Sequence, residues 1–390
     1  MIIQNVLLPH RIGRYDVLVD GATVSAIADS IEAEPGVRAI DGTGKVLLPG
    51  FVDAHSHLDK SMLGRPWYSR KPRDLNQLLA DERAMRSAPD WDAATQIRRN
   101  ADVMIANGAT HTRAFADVDT EIGLSGVEGM LQVREELRGA LTMQVIAFAQ
   151  SGVSGRPGTA ELLDAALAAG ADIVGGMDPC SYERDPVEHV DLIFELAERH
   201  GAGVDIHLHE PGELGAFSAS LIIERAKAVQ LPRPVVISHP DFLGSVAPDR
   251  AARIIDDLAE AGIGVTTCVP SGGPMPPLKA LAEVGVAVGV GCDGQLDSWG
   301  PFNRSDMLLK VYLLAWRCGF GGDDDLQFAV DLATSGRVMG LPDHGVGEGS
   351  AADFVLLPGA TVGEAVVGLP TERVVVKAGR VVAEEAADVG

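Results

Sequence analysis

Five of the ten histidines in this 390-residue chain stand at the ends of short apolar runs. His55 and His57 close "PGFVDAHSHLDKS", His207 and His209 close "VDIHLHE", and His239 closes "PVVISHP". Two further runs, "QVIAFAQ" and "VAVGVGCD", end in Gln150 and Asp293. Residues two apart in an extended segment point to the same side, so His55 and His57 can reach one ion. Neutral imidazoles with one carboxylate suit Zn²⁺ or Fe²⁺, and a hydrolytic site leaves one position open for water. His55, His57, one histidine of "HLH" and Asp293 would make such a set. A lone histidine at a strand end is more often a hydrogen-bonded structural group. Five on one rim support one another through their mutual geometry. His111, inside its run, is read as structural.

The runs that must carry these residues number eight, from "KVLLPGFVDAH" to "VAVGVGCD", and helical patterns separate them. The predicted helices cover residues 74 to 106, 126 to 139, 158 to 169, 186 to 200, 213 to 229 and 247 to 261. Eight strand–helix units predict an α/β fold, a (β/α)₈ TIM barrel over residues 50–340 with its site at the C-terminal strand ends. No Gly-rich phosphate loop follows the first run, as a doubly wound nucleotide-binding sheet would need. Both chain ends are short Val/Ile/Leu runs broken by Gly, Asp and Pro, the signature of hairpins. Residues 1–49 and 341–390 are therefore expected to form one small β-sandwich together, since neither makes a core alone.

Composition narrows the partners. With 32 basic and 55 acidic residues, the formal charge of −23 repels phosphate backbones and anionic membranes. No nucleic acid or membrane is expected, only a small neutral substrate and, at most, further copies of the chain. The four cysteines show no C-x-x-C spacing and are read as buried, reduced thiols of a cytoplasmic protein. The N-terminus lacks the pattern of a signal peptide.

In this order, "PGFVDAHSHLDK", "VDIHLHE", "ISHP" and "GCDGQLDSW" resemble the amidohydrolase superfamily, in particular its cytosine deaminase branch, which also contains triazine amine hydrolases. The likeness spans almost the whole chain. It implies His55, His57, His207 and Asp293 as metal ligands, with His207 selected over His209 because it stands three residues before Glu210. Residue alternation alone leaves His209 open. Many members of the superfamily bridge two metals with a carboxylated lysine. No lysine lies between Lys71 and Lys227, so one divalent ion, Zn²⁺ or Fe²⁺, is expected.

The same resemblance implies hydrolytic deamination of a free cytosine-like base. Glu210 would shuttle the proton, Asp293 would act as ligand and base, and His239 would hydrogen-bond the reacting centre. Gln150 would read an amide-like ring edge, because a carboxamide donates and accepts at once. Trp299 could stack on the ring, Asp297 could orient the loop, and Lys60 could contact substrate. Gly294 stands where a second acid is expected, and "HLDK" is closer to the triazine enzymes. An amine hydrolase of triazine, isocytosine or creatinine type is the alternative. A cyclic-amide hydrolase fits less well without the bridging lysine, and a metal-binding barrel without chemistry would have no use for Glu210.

Overall fold

The computed structural model describes residues 1–33, 35–69, 74–341 and 344–384. Two sheets organise them. The terminal sheet takes β1 (Ile2–Leu7), β2 (Arg14–Asp20), β3 (Thr23–Ala28), β4 (Ala39–Asp41) and β5 (Lys45–Pro49) from the start of the chain. The parallel sheet is built from β6 (Phe51–His57), β7 (Ala109–Asp117), β8 (Thr142–Phe148), β9 (Ile173–Met177), β10 (Gly203–His207), β11 (Val235–Ser238), β12 (Gly264–Thr267), β13 (Val288–Val290) and β14 (Asp293–Gly294). The end of the chain returns β15 (Phe354–Pro358), β16 (Val374–Lys377) and β17 (Arg380–Ala383) to the terminal sheet.

The terminal strands run in the order β17-β16-β15-β5-β1-β2-β3, with β4 beside β1. The predicted sandwich is thus one hydrogen-bonded sheet, because β5 and β15 pair antiparallel from Pro49↔Phe354 to Lys45↔Pro358 and join both chain ends. Its two faces are buried differently, as strand alternation requires. Leu47, Phe354, Leu356 and Val376 pack into a core of the terminal sheet, whereas Val46, Leu48, Val355 and Leu357 join the main core.

Strands β6 to β13 follow chain order in the parallel sheet, and each neighbour is parallel. The sheet curls until β14, which begins three residues after β13 ends, pairs with β6 through Asp293↔Ser56 and Gly294↔His57. No ladder joins β13 itself to β6, so the architecture is a curled nine-strand sheet and not the fully laddered barrel expected. The cause is a buried carboxylate. Asp53 Oδ1 accepts from the Cys292 amide at 3.0 Å, a place that a backbone carbonyl would otherwise take. Gly291 crosses close against His55, where a Cβ would collide with its backbone and side chain.

Helices α1 (Leu75–Arg86), α2 (Ala93–Ala106), α3 (Ser125–Glu136), α4 (Thr159–Ala169), α5 (Pro186–His200), α6 (Gly212–Ala228), α7 (Pro248–Glu260), α8 (Leu278–Glu283), α9 (Met307–Cys318) and α10 (Asp323–Thr334) follow in order, with α11 (Val362–Gly368) between β15 and β16. The single helix predicted over 74–106 is two. Pro89 interrupts it, and Asp74 and Asp92 each cap a start by accepting from the amides of Gln77 and Thr95. Among the described residues no helix is long and apolar enough to cross a membrane.

Candidate active site

At the C-terminal ends of β6 and β10 three imidazoles converge. His57 Nε2 lies 3.3 Å from His55 Nε2 and 3.3 Å from His207 Nε2. Asp293 Oδ1 is 3.5 Å from His57 Nε2 and 3.8 Å from His55 Nε2. Burial lowers the pKa of all three histidines well below the usual value, so they are neutral. Asp293 is also buried, yet the surrounding His239, His55 and His57 hold its carboxyl far below the carboxylate range. Its φ of +65° is a left-handed conformation that non-glycine residues seldom adopt.

The tautomer of His55 can be deduced from its neighbours. Ser238 donates its single hydroxyl proton to Asp205 Oδ1 at 2.6 Å, and Asp205 in turn is paired with Arg113 at 2.7 Å. His55 Nδ1, 2.9 Å from that hydroxyl, must then be the donor, which leaves Nε2 with a free lone pair. Phe115 lies flat against His57 and Phe148 against His207, at 5.0 and 4.2 Å between ring centroids. These walls fix both rings. His207 Nδ1 is buried without a hydrogen-bond partner. Three neutral imidazoles and an ionised carboxylate around one point are the donors of a divalent-metal site.

Cys268 joins His55, His239 and Asp293 in a second, overlapping group of possible ligands. Burial pushes the Cys268 thiol well above its usual pKa, so it is a poorer ligand than the imidazoles. His111 lies elsewhere, beside His344, Asp353 and Lys377 where the terminal sheet meets the barrel strands.

A cleft opens over the imidazoles. His57, His207, His239, Asp293, Lys60, Gln150, Asp297 and Trp299 all line it, so ten candidates reduce to two outside the lining. His55 lies beneath, fully buried. Glu210 is the other. Its Oε1 accepts from the amides of Cys180 and Ser181 at 2.8 and 2.6 Å, and its Oε2 accepts from the Ser218 hydroxyl. Both Glu210 oxygens are thus engaged by protein donors, and Glu210 is not among the residues lining the cleft. His209 lines it instead, with its Nδ1 3.0 Å from Asp178 Oδ2 and its ring stacked 4.5 Å from His239. Burial alone would lower the pKa of His209, but Asp178 outweighs it and raises the value. His239 has no such partner, and burial with the nearby His209 lowers it to about 4.

On the wall, Lys60 Nζ donates to Gln150 Oε1 at 2.6 Å and stands 5.2 Å from the centre of the Trp299 ring. Burial disfavours its charge, but Glu82 and Asp297 prevail and raise its pKa. Asp297 Oδ1 accepts from the amides of Trp299 and Gly300 at 2.8 and 3.0 Å, while Oδ2 has no partner. Burial pushes this carboxyl up to about 6. The sequence reading misses Glu82 and leaves His209 open only as an alternative to His207. Glu82, on a helix and in no motif, gives no signal.

Comparison with known proteins fits this geometry. The family model described as "Amidohydrolase family" matches residues 73–383. N-isopropylammelide isopropyl amidohydrolase of Pseudomonas sp. (strain ADP) is 28% identical over 393 aligned positions, covering 99% of this chain and 97% of that protein. The crystal structure of N-isopropylammelide isopropylaminohydrolase from Burkholderia multivorans superposes with a TM-score of 0.94 at 40% identity, covering 98% of each chain. The 5-methylcytosine deaminase of Klebsiella pneumoniae, liganded with 5-fluorocytosine, shares the fold at 24% identity, with a TM-score of 0.86 over 100% of this chain and 98% of that one. The chain belongs to the amidohydrolase family and is a hydrolase of carbon–nitrogen bonds.

Proposed function

We propose that the protein hydrolytically removes an exocyclic amine from a planar, neutral N-heterocycle supplied as the free base. The observation that carries this reading is the convergence of His55, His57, His207 and Asp293 under a cleft walled by Lys60, Gln150 and Trp299. Of the substrate types considered, an amino- or alkylamino-triazine has more support than cytosine. The 40% identity to an N-isopropylammelide isopropylaminohydrolase, whose named compound is an alkylamino-triazine, extends over nearly the full length, and Lys60 reaches the cleft. In this reading residues 50–340 are the metal-dependent barrel domain, and residues 1–49 with 341–390 are its companion.

His55, His57, His207 and Asp293 would hold one divalent ion, Zn²⁺ or Fe²⁺. Bound there, the ion supplies the Lewis acidity that makes water nucleophilic near neutral pH. Asp293 would accept a proton from a water in the cleft, and His239 would hydrogen-bond the oxygen that adds to the ring carbon. His209, steadied at Nδ1 by Asp178, returns a proton to the departing nitrogen, so the amine leaves neutral and the ring gains an oxo group. Gln150 and Lys60 hold the ring edge, Trp299 covers its face, and Asp297 orients the loop that carries the indole. Assays of ammonia and alkylamine release test the reading, using protein loaded with Zn²⁺ or Fe²⁺ and a panel of triazines, cytosine, isocytosine and creatinine. Release from an amino-triazine is expected; ring opening of a cyclic amide with no amine release would overturn it.

A further inference from the structure

Several polar groups of the cleft wall meet at one carboxylate on α1. Glu82 is buried, and its Oε1 accepts from Gln150 Nε2 at 3.0 Å. Its Oε2 accepts from Trp299 Nε1 and, at 3.3 Å, from Ser298 Oγ. Lys60 Nζ stands 4.0 Å from the same oxygen while it donates to Gln150 Oε1. Arg86, one turn along α1, lies 3.5 Å from Glu82 and is itself paired with Asp59 and Asp117. The carboxylate is thus anchored from behind and committed in front.

A carboxylate only accepts and an ammonium only donates, so the Gln150 amide cannot turn over between them. Its oxygen faces Lys60 and its nitrogen faces Glu82. The Trp299 N–H is consumed by the same acid. The groups left for a ligand are the second N–H of Gln150 and the remaining N–H groups of Lys60, all donors, with the Asp297 carboxylate lining the same cleft as the acceptor nearby. We propose that Glu82 is a positioning residue that sets this polarity, so that the wall reads a lactam edge, C=O beside N–H, and rejects the same edge carrying an amino group. The proposal rests on the heterocycle reading above and specifies which edge the site selects. An amino group in place of the oxo group would face donors with a donor, and such unpaired buried groups are strongly discriminating.

The test compares the metal-loaded full chain with Glu82→Gln on two triazines that differ only in one ring substituent, oxo in one and amino in the other. Wild type is expected to favour the oxo compound, and Glu82→Gln to shrink the kcat/KM ratio about tenfold or more, mainly through KM, with metal content unchanged. In a Gln150→Ala background the same substitution should add little, because both act on one wall. Indole fluorescence supplies a readout without substrate: Glu82→Gln should alter the emission, and the alteration should vanish in a Trp299→Phe background. An unchanged substrate ratio, full additivity with Gln150→Ala, or no fluorescence change would each overturn the proposal. If wild type turned over neither triazine, the triazine reading would fall, while the fluorescence comparison would still decide whether Glu82 holds Trp299. If Glu82→Gln did not fold, Glu82→Asp, which withdraws the carboxylate by one methylene, should show the same collapse of the ratio.

Discussion

The carboxylate of Asp297 fills the space that a side chain at position 294 would need. The resemblance to cytosine deaminases leads one to expect an acid at 294, and here a glycine leaves room for an acid that arrives from three residues further on. The cleft keeps a carboxylate beside Asp293, but on a different backbone segment. That segment is tied to the loop of Trp299 by the bonds from Asp297 Oδ1 to the amides of Trp299 and Gly300.

Adding one methyl at this position should therefore dislodge more than itself. Gly294→Ala is expected to displace Asp297 and the Trp299 loop, with a stability loss of about 1–3 kcal/mol typical of overpacking. Metal content should stay near wild type while kcat/KM falls. Thermal unfolding and elemental analysis on the same sample check this, and a fully active, equally stable variant would show that the loop yields freely.

Asp297 also makes stability depend on pH in an unusual direction. Burial raises its folded-state pKa to about 6, above the unfolded value of 3.8, so the folded chain binds this proton more tightly. The stability it contributes is complete below the unfolded value and is lost as pH rises through 6. Asp297→Asn keeps an oxygen for the two amides and removes the titration. The variant should gain relative to wild type between pH 4 and 6.5, by at most about 3 kcal/mol. Denaturant unfolding at stepped pH reads the difference; parallel profiles would contradict it.

Glu210 and His209 should separate cleanly. Glu210→Gln weakens the bonds to the amides of Cys180 and Ser181, so its main effect is expected on stability, about 1–3 kcal/mol, with turnover reduced only modestly. His209→Gln should leave the melting temperature nearly unchanged and reduce turnover by about 10²–10⁴, the usual contribution of a proton-transferring side chain. The reverse pattern in paired melting and rate measurements would restore Glu210 as the shuttle.

One divalent ion per chain is expected by elemental analysis, since the four donors surround a single point. Chelation should leave a folded but less stable protein. Restoring the ion at a hundredfold excess over its Kd should return about 2.7 kcal/mol. Two stoichiometric ions, or melting that ignores the chelator, would count against the site.

Strand alternation made much of this molecule readable in advance. The helices predicted over 126–139, 158–169, 186–200, 213–229 and 247–261 fall within a few residues of α3 to α7, because each has a core-facing stripe, and α5 and α7 also begin at a proline. His55 and His57 share a side because strands repeat every two residues. That rule, applied to "HLH", leaves both His207 and His209 open, and the family spacing chooses His207. Other features are written in long-range contacts. Nothing local announces that Asp53 captures the Cys292 amide and interrupts a ladder 239 residues away in sequence, or that Glu82 reaches Gln150 and Trp299. Such pairings depend on the packed fold and have no local period.

The junction at Gly50 has a practical consequence for anyone who wishes to shorten or fuse this polypeptide. Strand β5 passes through this one residue into β6, and a Cβ there would strike Thr110. The backbone bearing His55 and His57 is thus an extension of a strand whose other partner, β15, comes from the far end of the chain. A cut before β15 would bare the edge of β5 only a few residues from those imidazoles. A split-protein design or a minimal barrel fragment would need a replacement strand, and a reporter fused after β17 should keep the assembly intact.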